Sequence, residues 1–472
     1  MSPHRPFLAL SLLLLTTCAL NPATGERQLM LVSESQEISL GAQGAADTRR
    51  TIGLYPDSAL QAYVSTLGTE LAKRTERPGL PWSYQVVDDP VVNAFALPGG
   101  PVFITRGILA YFNSEAELIS VIGHETGHIT ARHTAREMSR QELMVGALGV
   151  GSAISSDVAK YAGLAGQGLQ LLFLKYSRDD EAQADALGFR YMLADGYDVR
   201  AATRMFSTLD RLSAAQGQRI PEWQSTHPDP GDRMTSAEAR AKAVTVDPAR
   251  LKVGRNEYLR RIDGIIYGED PRNGYFEGAR FYHPQLRFTL AFPDGWTTEN
   301  QSQAVLAVSA KQDAIVVLSP AGTDAPAAAA RTFLGQQGIQ AGPESDLTVN
   351  GLPAHSATFT ATTQGGAVTG RAMWVTLDGA TYQLLGYAPS TVYQGYAGAF
   401  AQALGSFARL SDRAKLSVQP RHIRVVRLAS AQTIAQVGAG QQSSVPADQL
   451  AILNGVAVGD VLPAGTLVKV VK

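Results

Sequence analysis

The segment Ile122-Gly123-His124-Glu125-Thr126-Gly127-His128 decides how this 472-residue chain is interpreted. On an α-helix, His124 and His128 lie about 40° apart around the axis, so both imidazoles can reach one ion. Zinc binds imidazole nitrogens at about 2.0 to 2.1 Å, and Glu125 lies beside the same face, where it suits a metal-bound water. Because the chain has eight histidines, this spacing rarely arises by chance. The alternative is an ordinary amphipathic helix with two hydrogen-bonded histidines.

The residues before this segment predict a helix start. Ser114 and Glu117 have the spacing of a capping box, and apolar residues follow them. The pattern predicts one helix over about 115–138. On such a helix His133 is rotated by about 180° from His124. We therefore predict that His133 points away from the site and is structural or faces solvent.

A catalytic zinc site normally has three protein ligands, so a third ligand must lie elsewhere. Thr134 and Ala131 stand where the extended metzincin pattern has His and Gly, which excludes that subclass. Residues 176–185 open another predicted helix, on which Glu181 and Asp185 share one face. We predict that Glu181 is the third ligand and that Asp185 accepts the second N–H of a zinc-bound imidazole. The alternative is an acidic, solvated helix start.

Four separated segments together resemble a known enzyme family. They are Asn93-Ala94-Phe95-Ala96-Leu97-Pro98-Gly99-Gly100, the HExxH segment, Ser177-Arg178-x-x-Glu181-x-x-Ala184-Asp185, and Ser225-Thr226-His227-Pro228 followed by Arg233. Over about residues 30–265 the chain resembles peptidase family forty-eight, the zinc metalloproteases that include the CAAX prenyl proteases and the HtpX-like and BepA-like proteases. The combination is much more specific than HExxH alone.

The resemblance implies one Zn2+ per chain, held by His124, His128 and Glu181, with Glu125 as the catalytic general base. It also implies that His227 faces the zinc, either as a removable fourth ligand in a resting state or as a donor to the tetrahedral intermediate. Spacing alone leaves His227, in a Pro-flanked loop, equally consistent with the site and with the surface.

A short edge strand is predicted just before the Leu97-Pro98-Gly99-Gly100 turn. It consists of Asn93, Ala94, Phe95 and Ala96. An extended peptide could pair with this edge by strand addition and so present its bonds to the metal. The alternative is a plain hairpin with the following strand at 102–105.

The N-terminus has the features of a secretory signal. Arg5 precedes a largely apolar run over 7–15, which is too short to span a membrane. Leu15-Thr16-Thr17-Cys18 resembles a lipobox, and Cys18 is the only cysteine of the chain. We predict lipidation of Cys18, with ordinary signal-peptidase cleavage or a chance cysteine as alternatives. Ala19 gives no acidic retention signal, which favours the periplasmic face of the outer membrane of a Gram-negative bacterium.

The charge balance argues against one class of partner. With 41 basic and 42 acidic residues the net charge is −1, which argues against nucleic acid as a partner. The Gly- and Ala-rich stretch over 143–173 is interrupted by polar residues. It therefore reads as helices packed around the active site, with a mobile lid as the less favoured alternative.

The predicted fold class is an α+β multidomain protein. A signal peptide (1–18) precedes a mostly α, gluzincin-type metalloprotease domain with a small β-sheet (19–268), an α+β accessory domain (278–412) and a small LysM-like β-α-α-β domain (420–472). Helical periodicity places protease helices near 34–49, 58–75, 115–138, 159–193 and 199–215. Accessory strands are predicted at 286–292, 304–309, 314–318, 357–362, 372–377 and 382–387, and helices at 327–334 and 393–407. His283 and His355 are isolated and predicted to be structural.

The C-terminal residues resemble a LysM module. The resemblance rests on Ile423-Arg424-Val425-Val426, Thr433-Ile434-Ala435, Leu450-Ala451-Ile452-Leu453-Asn454-Gly455 and the segment 462–471. It implies docking to peptidoglycan or to an envelope complex, and a structural or protein-docking role is as consistent with the sequence as glycan binding.

Taken together, these features predict a lipid-anchored periplasmic zinc endopeptidase. Its substrates would be proteins or peptides, namely misfolded or immature envelope proteins, in quality control or maturation. Two alternatives remain: a chaperone-like or peptidoglycan-binding envelope factor with a latent zinc site, and a peptidoglycan amidohydrolase. The intact Glu125 opposes the first, and the family-specific segments oppose the second.

Overall fold

A computed structural model describes residues 18–148, 176–215, 227, 230–363 and 366–472. The predicted signal sequence, the lipidation of Cys18 and most of the stretch 143–173 lie outside what it describes. The chain divides into two compact units. The first unit contains the residues up to 268 together with 421–472, and the second contains 269–420.

The α-helices of the described residues are numbered in chain order. They are α1 (Glu34–Thr51), α2 (Ser58–Ala72), α3 (Arg106–Tyr111), α4 (Glu115–Thr130), α5 (His133–Leu148), α6 (Arg178–Ala194), α7 (Ala201–Ala215), α8 (Pro230–Lys242), α9 (Arg255–Ile262), α10 (Pro326–Leu334), α11 (Tyr393–Gly405), α12 (Arg413–Leu416), α13 (Ile434–Gly440) and α14 (Ala447–Asn454). Short 3-10 helices span Pro248–Arg250 and Pro271–Asn273.

The strands are numbered in the same way. They are β1 (Cys18–Leu20), β2 (Arg27–Leu29), β3 (Ser83–Val87), β4 (Ala94–Ala96), β5 (Pro101–Thr105), β6 (Ile266–Tyr267), β7 (Tyr275–Glu277), β8 (Arg280–His283), β9 (Phe288–Ala291), β10 (Thr297–Asn300), β11 (Val305–Val308), β12 (Ile315–Pro320), β13 (Ile339–Val349), β14 (Leu352–Thr363), β15 (Gly366–Leu377), β16 (Ala380–Pro389), β17 (Ala408–Arg409), β18 (Arg421–Arg427), β19 (Gln432–Thr433), β20 (Val461–Leu462) and β21 (Leu467–Val471).

The first unit is mostly helical, as predicted. The helices predicted at 34–49, 58–75 and 199–215 are confirmed as α1, α2 and α7. A three-stranded sheet of the order β3-β5-β4 supports them, with β3 parallel and β4 antiparallel to β5. Every residue of β5 is buried, so this strand and α4 lie in the centre of the unit.

The helix that carries HExxH starts where the sequence predicts but ends earlier. Ser114 caps α4 by accepting a hydrogen bond from the backbone N–H of Glu117. The helix ends at Thr130, and Arg132 adopts a left-handed conformation with φ 59°. A new helix, α5, then starts at His133. The single helix predicted over 115–138 is therefore wrong.

Contacts from distant residues explain this break. The Arg132 guanidinium pairs with the buried Glu37 carboxylate of α1 and donates to the carbonyl of Val32 at 2.9 Å. Arg77 donates to the carbonyl of Ile129 at 2.9 Å, in the last turn of α4. These bonds satisfy a carbonyl at the helix end and stabilise a backbone conformation that costs about 1–2 kcal/mol for a residue with a side chain.

Helices α4 and α6 cross at backbone contact distance. A Cβ added to Gly188 of α6 would lie 2.7 Å from the backbone nitrogen of His124, and one added to Gly127 would lie 2.9 Å from the carbonyl oxygen of Ala184. Such contact leaves no room for side chains between the helices. The glycines therefore bring the first turn of α6 next to the HExxH face of α4.

The second unit contains the predicted α+β elements. In the described residues, one antiparallel sheet has the order β10-β11-β12-β16-β15-β14-β13, and a smaller sheet has the order β17-β9-β8-β7. Helices α10 and α11 pack on the larger sheet. The predicted strands and both predicted helices are found. Strand β13 was not predicted, because all but three of its residues are exposed and its sequence lacks apolar alternation.

Residues 421–472 show the predicted strand-helix-helix-strand order as β18, α13, α14 and β21. Strand β18 pairs with β21 on one side and with β6 of the protease region on the other. The segment thus shares a sheet with residues 266–267. Within the described part of the chain, no helix combines the length and apolarity needed to cross a bilayer.

Candidate metal centre

Four buried side chains from three parts of the first unit converge on one point. His124 and His128 lie on α4, Glu181 lies in the first turn of α6, and His227 lies just before α8. One ligand atom from each lies within 4.8 Å of all the others. The Nε2 atoms of His124 and His128 are 3.0 Å apart, and Nδ1 of His227 is 3.2 Å from Nε2 of His124.

The carboxylate of Glu181 completes the group. Its Oε1 is 3.3 Å from Nε2 of His128 and 3.0 Å from Nδ1 of His227, and its Oε2 is 3.5 Å from Nε2 of His124. Burial alone would raise the pKa of the Glu181 carboxyl group, but the imidazoles of His227 and His124 hold it well below its ordinary value. Glu181 is therefore ionised at neutral pH.

The chemistry of this donor set fits a zinc ion. Three imidazole nitrogens and one carboxylate are the ligand types that tetrahedral zinc prefers. Lone pairs that converge in a buried space repel one another unless a cation lies between them. The structure thus brings together the three predicted ligands His124, His128 and Glu181, and it places beside them His227, which the family resemblance predicted to face the zinc.

Glu125 lies beside the four clustered residues, and one of its carboxylate oxygens accepts no hydrogen bond from the described residues. The residue is 1% exposed, and its Oε1 has no hydrogen-bond partner among the described residues. That oxygen is 3.5 Å from Nε2 of His227. Burial raises the pKa of the Glu125 carboxyl group, while His227 and His124 lower it in part. A buried carboxylate with a free lone pair and a raised pKa is suited to accept and return a proton.

Asp185 holds His124, as the sequence predicts. Its Oδ1 lies 2.8 Å from Nδ1 of His124. Arg233 of α8 donates to both carboxylate oxygens of Asp185, at 2.7 and 2.8 Å, and also pairs with Glu181 at 2.9 Å. Burial would raise the pKa of the Asp185 carboxyl group, but Arg233 and His124 hold it far below its ordinary value. Asp185 can therefore accept the Nδ1 proton and leave Nε2 for a metal.

The prediction that His133 points away from the site is wrong, and the residue is structural rather than exposed to solvent. Because α4 ends at Thr130, the ring of His133 turns back and lies with Nδ1 2.9 Å from Nδ1 of His128. Its Nε2 lies 2.8 Å from Oε1 of Gln183 on α6. The side chain is completely buried, and burial lowers the pKa of His133 to about 4.

The sequence did not predict the contacts that Tyr176 and Arg233 make at the site. Tyr176 stacks on the ring of His128, with centroids 4.0 Å apart, and its hydroxyl lies 2.9 Å from that of Thr134. Arg233 was recognised as part of a motif, but its pairing with Asp185 was not predicted. No local pattern signals either contact, because each joins separate elements.

The short strand predicted before the Leu97-Pro98-Gly99-Gly100 turn is present, as an edge strand. Ala94, Phe95 and Ala96 form β4, which pairs only with β5 in the sheet formed by the described residues. Asn93 extends the pairing, because its carbonyl accepts from the backbone N–H of Thr105 at 3.1 Å. Strand β4 packs against α4, the helix that bears the histidines.

Comparisons with known proteins agree with this site. Residues 58–241 match the model of Peptidase family M48. The chain is 31% identical over 260 residues to the beta-barrel assembly-enhancing protease of Yersinia pestis, covering 53% of this chain and 52% of that protein. It is 30% identical over 262 residues to the protein of that name in Escherichia coli (strain K12), covering 53% of each. It is 32% identical over 169 residues to the mitochondrial metalloendopeptidase OMA1 of Arabidopsis thaliana, covering 35% of this chain and 33% of that protein.

The chain spans about half the length of the beta-barrel assembly-enhancing proteases that it matches. The family match begins at the start of α2 and ends within α8, so it includes all four clustered residues. The family predicted from the four motif segments is therefore confirmed. Residues 58–241 of this chain form a Peptidase family M48 domain.

Proposed function

We propose that this chain is a zinc-dependent metalloendopeptidase in which Glu125 is the general base. One observation carries the proposal: Oε1 of Glu125, which has no hydrogen-bond partner among the described residues, lies beside a buried group of metal-ligand atoms from His124, His128 and Glu181. The match to the M48 model and to relatives named as proteases and metalloendopeptidases supports it.

His124, His128 and Glu181 would hold the zinc ion. When bound, zinc lowers the pKa of water towards about 7 and polarises a carbonyl group. Glu125 accepts the proton of the attacking water and then delivers it to the leaving amine, because its carboxylate is buried and its Oε1 has no hydrogen-bond partner within the described part of the chain. His227, whose Nε2 lies 3.5 Å from Glu125, would serve either as a removable fourth ligand in the resting state or as a donor to the developing oxyanion.

The edge strand β4 supplies a place for the substrate backbone. Asn93, Ala94, Phe95 and Ala96 have an open hydrogen-bonding edge on the side away from β5 in the described sheet. An extended peptide that adds to this edge would lie along α4. This mode binds the main chain, so it accepts many sequences and suits unfolded or immature proteins.

The decisive test compares Glu125→Gln with the wild type. The amide cannot take up a proton, so cleavage of an unfolded protein substrate should fall at least a hundredfold while one zinc ion per chain is retained. Glu257→Gln, which changes an exposed carboxylate of α9, is the matched control and should cleave normally. Undiminished cleavage by Glu125→Gln would refute the mechanism.

Glu181→Ala tests the ligand set separately. Loss of this carboxylate should lower the zinc content measured by elemental analysis of the purified protein. Full occupancy in Glu181→Ala would reject Glu181 as a ligand and leave the role of Glu125 to its own test.

The cellular role is a further part of the proposal. We place the enzyme in the periplasm of a Gram-negative bacterium, anchored through lipidated Cys18, with misfolded or immature envelope proteins as substrates. The relatives named as beta-barrel assembly-enhancing proteases support this setting. In cells, Glu125→Gln should trap its substrates, and envelope proteomics should find proteins enriched with it. A Cys18→Ser variant that still sediments with outer membranes would contradict the lipid anchor.

Residues 420–472 are proposed to be a LysM-like docking module. Their strand-helix-helix-strand order supports the likeness. Their shared sheet with β6 favours a structural or protein-docking role over independent glycan binding. Sedimentation of the whole protein with purified peptidoglycan would instead establish glycan binding.

A further inference from the structure

A chain of hydrogen bonds leads from the N-terminal segment to one of the predicted metal ligands. The backbone N–H of Ala23 donates to Oδ1 of Asn21 at 2.9 Å, and Nδ2 of Asn21 donates to Oε1 of Gln183 at 3.2 Å. The same Oε1 lies 2.8 Å from Nε2 of His133, and Nδ1 of His133 lies 2.9 Å from Nδ1 of His128. All four side chains are buried or partly buried.

The first bonds of this chain have only one possible direction. A backbone N–H can only donate, so the Asn21 atom that faces Ala23 is the oxygen. The amide nitrogen of Asn21 therefore faces Gln183, and the Gln183 atom that meets it must be an acceptor. With an oxygen at that position, Nε2 of His133 must carry a proton and donate it.

The same reasoning continues to the metal ligand. A neutral imidazole with its proton on Nε2 has a lone pair on Nδ1. Nδ1 of His128 must therefore donate to Nδ1 of His133. The proton of His128 is then on Nδ1, and its Nε2, which faces His124 and Glu181, has the lone pair that a metal needs.

We propose that Asn21, Gln183 and His133 are positioning residues that hold His128 in its metal-binding tautomer. The proposal rests on the proposed zinc site. His133 accepts a hydrogen bond from the ring N–H of His128 that does not face the metal. Asp185 does the same for His124. A neutral imidazole does this only because a second acceptor, Oε1 of Gln183, fixes the proton of His133. Oδ1 of Asp180, 3.5 Å from the same Nε2, favours the same tautomer.

The test measures zinc affinity by competition with a chelator and records the visible absorption of the Co2+-substituted protein. His133→Leu removes the acceptor, and we expect zinc binding to weaken about 10- to 100-fold with an altered cobalt spectrum. His133→Asn puts a carbonyl oxygen near the position of Nδ1, so it should restore most of the affinity and the spectrum. His355→Leu, at a buried histidine of the second unit, should bind zinc as the wild type does.

Gln183 provides a second pair of variants, in which His133, the residue that contacts the predicted ligand His128, is left unchanged. Gln183→Glu keeps an acceptor for His133 Nε2 and should bind zinc nearly normally, whereas Gln183→Met keeps the shape without the acceptor and should weaken binding. If these residues only stabilised the fold, the two members of each pair would bind zinc equally well whenever their metal-free forms unfold at the same temperature.

The outcomes distinguish this inference from the proposed function. Wild-type zinc affinity in both His133→Leu and Gln183→Met would overturn the inference, and so would equal weakening in His133→Asn and His133→Leu. Neither result affects the role of Glu125. Absence of zinc binding by the wild-type protein would instead overturn the proposed function itself.

Discussion

A methyl group added at Gly188 should disturb the metal site by pushing apart the two helices that hold its ligands. This glycine lies where α6 crosses α4, and a Cβ there would be 2.7 Å from the backbone nitrogen of His124 and 2.8 Å from the backbone carbon of Gly123. Both neighbours are main-chain atoms, so no side-chain rotation can relieve the contact. The Gly188→Ala variant must separate the two helices or bend one of them.

The size of the effect follows from the distances. Ordinary contact begins at 3.4 Å, so a Cβ at 2.7 Å is short by 0.7 Å. Glu181 lies two turns earlier on α6 and moves with it relative to His124 and His128. Metal-ligand distances tolerate about 0.2 Å, so zinc affinity should fall at least about tenfold, equal to about 1.4 kcal/mol. Overpacking costs about 1–3 kcal/mol of stability, and the helix preference of Ala returns at most about 1 kcal/mol.

The assay combines zinc affinity by chelator competition with thermal unfolding of the metal-free protein. Gly398→Ala is the matched control, since this glycine lies inside α11 and, apart from its own helix backbone, no atom of the described residues lies within 4 Å of a new Cβ. The control should keep its zinc affinity and gain slightly in stability. If Gly188→Ala binds zinc as tightly as the control does, helix separation does not govern the position of Glu181, and the reasoning fails.

Two further predictions concern other parts of the chain. Lys469 of β21 is completely buried, and its Nζ donates to the carbonyls of Ala110 and Phe112, both at 2.8 Å. Lys469→Met leaves these carbonyls unpaired, so urea titration should show the first unit destabilised by about 2 kcal/mol; unchanged stability would show that the contact is dispensable. In the second unit, burial lowers the pKa of His283 to about 4. Below its ordinary pKa of about 6.5 the unfolded chain takes up a proton that the folded chain refuses, so stability should fall between pH 6.5 and 4. His283→Gln should flatten this slope, and an unchanged slope would exclude His283 as its source.

The metal ligands could be predicted because their signals are local. Ser114 fixes the start of α4, and the four-residue spacing then places His124 and His128 on one face. Ser177 caps α6 in the same way, which puts Glu181 in its first turn and Asp185 one turn later. Each inference needed only the period of a helix and a capping residue, and both depend on neighbours in sequence.

Two pieces of strand pairing were not predicted, one for lack of hydrophobic alternation and one because the paired residues are far apart in sequence. Strand β13 is largely exposed, so no hydrophobic alternation marks it, and its one local signal is the Asn350-Gly351 turn that joins it to β14 in a hairpin. The pairing of β18 with β6 joins residues on opposite sides of the second unit in sequence. The two residues of β6 contain no signal for this distant partner, because backbone hydrogen bonds between strands form with any residue that has an N–H group.

The wrong prediction for His133 shows which kind of residue governs how well a metal ligand is oriented. Whether this ring supports His128 or faces away depends on the left-handed conformation of Arg132, which Glu37 of α1 stabilises. Because Glu37 pairs with Arg77 and Arg132 and not with a ligand in the described part of the chain, its replacement should leave the ligand atoms in place and change only how well His128 is oriented. Loss of a ligand should therefore remove zinc, whereas changes at these distant supports should weaken its binding by degrees. Sequence spacing identifies the first class of residue, and only the folded contacts identify the second.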